Sequence, residues 1–342
     1  MNRQPRSLVT GCAGLIGSHL SAELLRRGHE VVGLDDLSGG LRSSVPEGVR
    51  FVAGSTTDVP LVRSLFAADD IDYVFHLAAY AAEGLSHFVR RFNYENNVLG
   101  SVSVINAAAN AGRVRAFVFA SSIAVYGRSA PPVTEDTAPA PIDPYGIAKL
   151  AVELDLRAAG ELWNLPWVIV RPHNVYGETQ NLADPYRNVI AIFMRQALAG
   201  QPLTIFGDGL QTRAFSYVGD VARRIADAAE VDACRHTVLN VGSDDVCSVR
   251  DVAIMVSDAL GVEPRLEHLE PRHEAVHAYA SHDRLRALLG VVDETPLDVG
   301  IARMASWARQ QPPRPPSWCP PIEIARGLPA SWAVADPAAS KR

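Results

Sequence analysis

Short apolar runs alternate with longer amphipathic stretches along the first half of the chain. The apolar runs predict strands at residues 7–10, 30–34, 50–53, 73–77, 116–120 and 167–171. Between them, stretches such as residues 18–27 repeat apolar positions at helical spacing, and Gly28 follows as a candidate helix C-cap. This alternation predicts an α/β fold in which crossover helices cover a doubly wound parallel sheet.

The pattern changes after about residue 175. Residues 184–199 and 249–260 predict helices, and residues 201–206 and 237–241 predict short strands, with polar Gly- and Pro-containing loops between them. We therefore predict a first domain over residues 1–175, to which strands and helices return from about 210–245, and a smaller α/β domain over residues 176–311. Residues 312–342 form a Pro-rich C-terminal extension that cannot hold a long helix.

Composition argues against several classes of protein. Hydrophobic residues make up 48% of the chain, but no run approaches the ~18 residues of a membrane span. The net charge of −6 argues against nucleic acid as the main partner. The segment before the first strand leaves no room for a signal peptide, and the four cysteines lack metal-ligand spacing. We expect a cytoplasmic protein with free thiols and no bound metal.

A glycine-rich loop follows the first strand. Gly11, Gly14 and Gly17 enclose Leu15 and Ile16, and a predicted helix comes next. The glycines allow a tight turn and close backbone approach, and the helix N-terminus offers free N–H groups to a pyrophosphate. Three glycines after a strand also occur in plain turns, so the dinucleotide interpretation needs support from the residues that follow.

Acidic residues after the second and third strands supply that support. Asp35 and Asp36 lie close to the offset of ~20 residues at which a carboxylate binds the adenosine ribose. Two carboxylates would repel the 2′-phosphate of NADP, so NAD is the favoured cofactor; the alternative is that one of them only ends a strand. Asp58, after the third strand, is a candidate adenine contact or an ordinary loop acid.

Tyr145 and Lys149 stand one helical turn apart on one face of a predicted helix. A phenol with a pKa of about 10 is a poor base at neutral pH, but a nearby ammonium stabilises the phenolate and lowers that pKa. Among 32 basic residues, lysine occurs only at Lys149 and Lys341, which weakens the alternative of a snorkelling surface lysine. Ser122 follows the strand at residues 116–120 and is either a hydrogen-bond donor to the reacting oxygen or a turn residue.

Seven motifs, taken in order, resemble the extended short-chain dehydrogenase/reductases, specifically the nucleotide-sugar epimerase/dehydratase group. They are Thr10-Gly11-x-x-Gly14-x-x-Gly17, Val74-Phe75-His76-Leu77-Ala78-Ala79, Asn96-Asn97-Val98, Ala120-Ser121-Ser122-x-x-Val125-Tyr126-Gly127, Pro144-Tyr145-Gly146-x-x-Lys149, Arg171-Pro172-His173-Asn174-Val175-Tyr176-Gly177 and Gly207-Asp208-Gly209-x-Gln211-Thr212-Arg213-x-Phe215-x-Tyr217-Val218-x-Asp220. The resemblance spans about residues 7–290. It implies a Rossmann-type NAD domain, a smaller nucleotide-sugar domain, catalysis by Ser122, Tyr145 and Lys149, and a homodimer built on four helices.

The same resemblance implies further contacts. Besides the glycine loop, the acids and the Tyr–Lys pair, the implied cofactor contacts are Leu77, Ala78, Ala79, Asn97 and His173. The implied substrate contacts, besides Ser122 and Tyr145, are Asn174, Arg213 and Arg272 at the diphosphate and Tyr279 at the sugar. A bulky Tyr279 is similar to the gate of epimerases that exclude N-acetyl sugars.

The residues after Ser122 bear on the reaction. Dehydratases of the group carry Asp-Glu there and decarboxylases a Glu, whereas this chain has Ile123 and Ala124, which cannot move a proton. The resemblance therefore implies a 4-epimerase of a UDP-hexose, with UDP-glucose and UDP-galactose favoured, that acts through a transient 4-keto sugar.

Departures from the family pattern leave the sugar open. Glu274-Ala275 replaces the family's Gly-Asp, and Ala81 replaces a lysine near the sugar. Alternatives are an epimerase or 4-ketoreductase of another nucleotide sugar, such as UDP-glucuronate or a CDP- or GDP-sugar. Arg90 or Arg91 could meet a 6-carboxylate, or both could lie on a solvated helix face. A non-catalytic NAD-binding regulator is the alternative from another class.

Overall fold

The computed structural model describes residues 3–184, 186, 188–271, 276–312 and 320–329. The strands of this part are β1 (Arg6–Thr10), β2 (Glu30–Asp35), β3 (Arg50–Ala53), β4 (Tyr73–His76), β5 (Ala116–Ala120), β6 (Trp167–Pro172), β7 (Val175–Tyr176), β8 (Leu203–Phe206), β9 (Thr212–Ala214), β10 (Ser216–Tyr217), β11 (Thr237–Val241), β12 (Val246–Ser248), β13 (Leu266–Leu269) and β14 (His277–Ala278).

Helices connect these strands. They are α1 (Leu15–Arg26), α2 (Val59–Ala68), α3 (Glu83–Ser86), α4 (Arg90–Tyr94), α5 (Gly100–Ala111), α6 (Pro144–Trp163), α7 (Val189–Leu198), α8 (Val218–Glu230), α9 (Val249–Ala259), α10 (Asp283–Leu289) and α11 (Leu297–Ala308). A wide π-helical turn, Glu95–Leu99, joins α4 to α5, and a 3₁₀ turn, Ile123–Tyr126, follows β5.

Within the described residues, seven parallel strands form the central sheet in the order β11-β6-β5-β4-β1-β2-β3. The predicted Rossmann-type doubly wound sheet is confirmed. The strand order reverses between β1 and β4, which opens a crevice at their carboxyl ends, where ligands of such sheets bind. The loops after β1 and β4, at Gly11 and Leu77, border this crevice.

Two helical layers bury the central sheet, which is why its strands are continuous apolar runs. Leu8 and Val9 are adjacent in β1 and point to opposite faces. Val9 packs in a core with side chains of α1 and α8, whereas Leu8 packs in a core with side chains of α2, α5 and α6. The last of these helices, α6, carries Tyr145 and Lys149 across the second face toward the carboxyl edge.

A further core lies outside the central sheet. Apolar side chains of α7, α9, α11 and β8 pack together, among them Phe193, Val256 and Met304. Short strand pairs border it: β12-β9-β14, β13-β8 and β10-β7. Although α8 and β11 follow β10 in the chain, they join the central sheet and its helical layer. The limits of the predicted domains stay a prediction.

Several element ends differ from the sequence prediction. Helix α1 begins at Leu15 rather than residue 18, because Gly14 is already extended and precedes the first turn directly. Helix α7 begins at Val189 rather than residue 184, because the Asn188 side chain accepts the Ala191 N–H and caps the helix there. Gly28 has φ +83° after α1, as expected of a C-terminal glycine.

The described residues contain neither a candidate membrane span nor a candidate metal cluster. None of the helices there is long and apolar enough to cross a membrane. Over the same ranges, no cluster of three or more His, Cys, Asp or Glu side chains is arranged to hold a metal ion.

Candidate active site

The glycine loop is shaped by close contacts of its backbone. Gly11 has φ +74°, and a Cβ there would lie 2.8 Å from the Ala78 nitrogen. A Cβ on Gly17 would lie 2.0 Å from the Gly11 carbonyl oxygen. Gly14 precedes α1 with no side-chain cap, so the first-turn N–H groups of the helix face the crevice mouth without an internal partner. These features fit the pyrophosphate of a dinucleotide.

A buried polar pair fixes the opposite loop, which contains Leu77, Ala78 and Ala79. Thr10 Oγ1 lies 2.7 Å from His76 Nδ1 and accepts the Ala78 N–H at 3.2 Å. Burial, with a smaller contribution from Lys149, lowers the pKa of His76 to about 3, so the ring is neutral at physiological pH. His76 and Thr10 both lie within the quoted motifs, but sequence alone assigned neither a role.

The three acids predicted to bind the adenosine half have different surroundings. Asp35 is buried and accepts N–H groups from Ala13 at 2.9 Å and Leu37 at 2.8 Å, so it lies against the glycine loop. Asp36 is exposed at the same strand end. Asp58 caps α2 through the Leu61 N–H, which supports the simpler interpretation of that residue. Each carboxylate keeps lone pairs for a ligand.

The catalytic helix starts beside the serine loop. Asp143 accepts the Gly146 N–H at 2.9 Å and caps α6, which places Tyr145 in its first turn. A Cβ on Gly146 would lie 2.7 Å from the Ala124 carbonyl oxygen, so the helix packs directly on the 3₁₀ turn after β5. Ser122 caps that turn by accepting the Ala124 N–H at 3.1 Å. The fold thus brings the segments of Ser122 and Tyr145 together.

Lys149 is buried behind Tyr145, with an exposed fraction of 3%. Its Nζ donates to the Ala120 carbonyl oxygen at 2.7 Å and lies 5.8 Å from the centre of the Tyr145 ring. Burial lowers the pKa of Lys149 from 10.5 to about 7, against an opposing effect of Glu153. A buried amine poised between its two protonation states can stabilise a phenolate and exchange a proton with it. The snorkelling alternative is wrong.

A buried ionic network lies under this pair. Glu153 and Arg171 side chains are each 1% exposed and form an ion pair, with Arg171 Nε donating to Glu153 Oε1 at 2.8 Å. Ser121 also donates to Glu153, and Arg171 donates at 2.7 Å to the Tyr126 hydroxyl, which donates to Asn240. Sequence reasoning missed Glu153. Its position one turn after the candidate lysine on the same helix face was the available signal.

The segments that carry the predicted substrate contacts are far apart in the chain and meet beside β9. The Asn174 amide donates to the Ala214 carbonyl oxygen at 3.0 Å, and Arg213 stands next to Ala214 in β9. Strand β14 pairs with β9, which brings Tyr279 to the same region, and the Tyr279 carbonyl oxygen accepts the Val133 N–H at 3.1 Å. Arg272 lies outside the described residues.

His173 is buried at the end of β6 and bonds to a second histidine. Its Nδ1 donates to the Ala214 carbonyl oxygen at 3.0 Å, and its Nε2 lies 2.9 Å from His282 Nε2. His282 Nδ1 in turn lies 2.6 Å from Asp244. Burial and His282 lower the pKa of His173 to about 3. A neutral His173 that donates from Nδ1 is left with Nε2 as an acceptor toward the His282 ring. The predicted cofactor contact of His173 stays a prediction.

The Asn97 side chain is used in hydrogen bonds to the backbone of Tyr80. Its amide bonds to both the N–H and the carbonyl oxygen of Tyr80, at 2.8 and 3.1 Å, and donates to Asn93 at 2.9 Å. Its predicted contact with the cofactor is untested. Arg91 pairs with Glu95 on the helix surface and is 81% exposed, which fits a solvated face.

Comparisons with known proteins identify the family. The family model described as the NAD dependent epimerase/dehydratase family matches residues 7–242. The chain belongs to this family. It is 34% identical over 315 residues to a UDP-glucose 4-epimerase of Mycolicibacterium smegmatis, with 90% of this chain and 99% of that protein covered.

Solved structures agree with that assignment. The UDP-glucose 4-epimerase of Thermotoga maritima, solved with UDP-glucose, superposes with a TM-score of 0.85 at 30% identity over 89% of this chain and 98% of that one. The UDP-glucuronic acid 4-epimerase of Bacillus cereus, solved with UDP-glucuronic acid and NAD, gives 0.81 at 28% identity over 89% and 99%. The protein is therefore an enzyme of the NAD-dependent nucleotide-sugar epimerase/dehydratase type, and NAD is its cofactor.

Proposed function

We propose that this enzyme is a 4-epimerase of a UDP-hexose, with UDP-glucose and UDP-galactose as the interconverted pair. The observation that carries the proposal is the buried Tyr145–Lys149 pair packed on the Ser122 turn, in a chain that places Ile123 and Ala124 after that serine. Besides a hydride acceptor, inversion at a single carbinol carbon needs only one base, which takes a proton and later returns it, whereas elimination of water needs a further acid and base.

Each of the three candidate catalytic residues has a separate role in the reaction. Tyr145 takes the proton of the sugar 4-hydroxyl as the C4–H bond breaks, and returns it to the same oxygen at the end. Lys149 stabilises the phenolate, and Ser122 donates a hydrogen bond to the reacting oxygen. NAD, which the glycine loop and Asp35 would hold, would supply reversible hydride acceptance at C4, so no external redox partner would be consumed.

On the sugar-nucleotide side, we assign Asn174, Arg213 and Arg272 to the diphosphate and Tyr279 to the sugar pocket. The meeting of Asn174 and Arg213 at Ala214, with β14 alongside, supports this grouping for the residues within the described ranges. An arginine that contacts a diphosphate can donate two parallel hydrogen bonds. A bulky Tyr279 leaves room in the sugar pocket for a hydroxyl substituent but not for the larger N-acetyl group.

A substrate panel tests the proposal. Purified enzyme is incubated separately with UDP-glucose, UDP-galactose, UDP-glucuronate, UDP-N-acetylglucosamine and CDP- and GDP-hexoses, without added NADH, and products are separated by ion-exchange chromatography. We expect interconversion of UDP-glucose and UDP-galactose. Preferential turnover of UDP-glucuronate would assign the alternative substrate, and turnover only with added reductant would indicate a 4-ketoreductase. No turnover of any sugar would favour a regulator.

We also propose a homodimer that pairs α5 and α6 of two copies. Apolar side chains lie exposed along these helices and the turn before them: Leu99 is 59% exposed, Ile147 42% and Leu154 58%. An apolar stripe of this kind is stabilised by burial against a second copy. Light scattering coupled to gel filtration should give twice the 36.8 kDa chain mass, and Leu154→Glu should shift the protein to monomer.

Two further assignments belong to this proposal. We place the cofactor domain at residues 1–175, the nucleotide-sugar domain mainly at residues 176–311 and the Pro-rich extension at residues 312–342. We also propose a cytoplasmic location, since Cys12, Cys234 and Cys247 are free thiols.

A further inference from the structure

The described part of the C-terminal extension packs on the segment that follows β4. Ile322 contacts an apolar cluster that contains Tyr80, Leu85 and Val89. The backbone N–H groups of Glu323 and Ile324 donate to the Phe88 carbonyl oxygen at 2.8 and 3.2 Å. A stretch more than 200 positions later in the chain therefore adds both apolar and backbone contacts to this segment.

The Glu323 side chain adds a second attachment. Its two carboxylate oxygens accept the backbone N–H groups of Arg91 at 2.8 Å and Phe92 at 2.9 Å. These groups belong to the first turn of α4, and the residue that precedes this helix, Val89, offers no side-chain cap. Glu323 thus caps α4 from 232 positions away in the sequence.

The capped segment in turn supports the catalytic helix. Asn93, in α4, donates from its buried amide to the Pro144 carbonyl oxygen at 2.9 Å. Ser86, in α3, accepts the backbone N–H of Tyr145 at 3.3 Å. Both bonds are to the peptide group that joins Pro144 to Tyr145, so they hold the first turn of α6 directly before the candidate base. The C-terminal extension binds residues 88–92, which lie between Ser86 and Asn93 in the chain.

We propose that residues 320–324 act as a brace for the active site, and that Glu323 is a positioning residue for Tyr145. The proposal rests on the proposed function, in which Tyr145 is the base. Glu323 touches neither substrate nor cofactor in this scheme. It fixes α4, and α4 with α3 fixes the turn from which the phenol projects, so the brace sets how often that phenol occupies its reactive position.

The test compares full-length Glu323→Ala and Glu323→Gln with Arg326→Ala, a control at an exposed residue of the same extension. Backbone amide exchange is measured by NMR or mass spectrometry over residues 88–94 and 144–149. Steady-state kinetics with the best substrate of the panel give kcat and KM separately, and bound NAD is quantified after denaturation.

We expect Glu323→Ala to speed exchange at Arg91 and Phe92 about fivefold, which is the effect of losing a helix cap. We expect kcat to fall by a similar factor while KM and NAD content stay at wild-type values, and the midpoint of global unfolding to fall only slightly, because the lost cap destabilises the folded state by the same small amount. Gln keeps one acceptor oxygen, so Glu323→Gln should be intermediate in both measurements, and Arg326→Ala should match wild type.

Two results would overturn the brace. Unchanged amide exchange in Glu323→Ala would show that the carboxylate does not hold α4. Faster exchange with unchanged kcat would show that α4 does not position Tyr145. A wild-type enzyme that converts no nucleotide sugar would instead refute the proposed function, and the exchange measurement would still decide whether Glu323 holds α4.

Discussion

The two sides of the cleft are built by different means. On the cofactor side, Gly11 and Gly17 lie in one continuous loop, and the backbone itself shapes the site by approaching too closely for any Cβ. On the proposed sugar side, Asn174, Arg213 and Tyr279 come from separate segments that are joined by hydrogen bonds and short strand pairs. The predicted cofactor site therefore depends on a local sequence pattern, whereas the proposed sugar site depends on how distant segments pack.

Tyr145 is the proposed base, so its loss should have the largest effect. We expect Tyr145→Phe to lower kcat by about 10²- to 10⁴-fold, the range for a general base, because Phe keeps the ring but cannot take a proton. Bound NAD should remain at wild-type level. Tyr73→Phe, at the start of β4 and away from the crevice, is the control and should leave kcat unchanged. Retained activity in Tyr145→Phe would exclude it as the base.

On the cofactor side, a substitution at a single glycine should be enough to remove NAD binding. In Gly17→Ala the new methyl group meets the Gly11 carbonyl carbon and oxygen, which cannot move aside as a side chain can. We expect the loop to shift, the protein to lose about 1–3 kcal/mol of unfolding free energy, and most of the bound NAD to be absent after purification. Ala22→Ser, on the exposed face of α1, is the control. Full NAD content in Gly17→Ala would contradict the assigned cradle.

The buried network affects the charge of Lys149 through Glu153. Glu153 raises the pKa of Lys149 against the effect of burial, which leaves it at about 7. Removing that carboxylate in Glu153→Gln lowers this pKa further, so the ammonium that stabilises the phenolate is lost at lower pH. We expect the alkaline limb of the kcat/KM profile to move toward lower pH. Glu161→Gln, on the exposed face of the same helix, should leave the profile in place.

Lys149 also makes stability depend on pH. Because its pKa falls from 10.5 to about 7 on folding, the unfolded chain binds more protons between those values. The contribution of this group to stability therefore rises as pH increases from about 7 toward 10.5 and is smallest below 7. Lys149→Met should flatten that slope in denaturant titrations, and an unchanged slope would mean that the amine is not desolvated.

The smallest effect should be a change of substrate preference on the sugar side. Tyr279 is held through its backbone carbonyl oxygen, so Tyr279→Ser removes the ring without removing the bond to Val133. We expect turnover of UDP-N-acetylglucosamine to rise about tenfold, in line with the free energy of one steric contact. His277→Ala, two residues earlier in β14, is the control. An unchanged preference would show that Tyr279 does not line the sugar pocket.

Secondary structure in the first half of the chain was predictable because burial on both faces leaves little choice of residue. All six strands expected there differ from the structure by at most one residue at an end, as in β4, which ends at His76 rather than Leu77, and Arg50–Ala53 and Ala116–Ala120 are reproduced without change. The sequence predicts too early a start for α7, because the composition of residues 184–188 fits either a loop or a first helical turn. Only the Asn188 cap decides where the helix begins.

The candidate site also contains residues that could be predicted from sequence and residues that could not. Tyr145, Lys149 and the glycines could be found from their spacing, because each set lies within one turn or one loop. The residues that support Tyr145 could not be found in this way. Ser86, Asn93 and Glu323 look like ordinary polar residues until the fold places them against α6 and α4. His282 and Asp244 likewise gain a role only because they reach His173.

By itself, the sequence determined the sheet, the cofactor loop and the pair of Tyr145 and Lys149, since these depend on periodicity and contacts within a few residues. Only the tertiary structure decided that Lys149 is buried at the Ala120 carbonyl oxygen, that Asn174 and Arg213 converge, and that a C-terminal glutamate caps a helix beside the catalytic turn. The physical reason is that burial and long-range hydrogen bonds depend on which distant segments the folded chain places side by side.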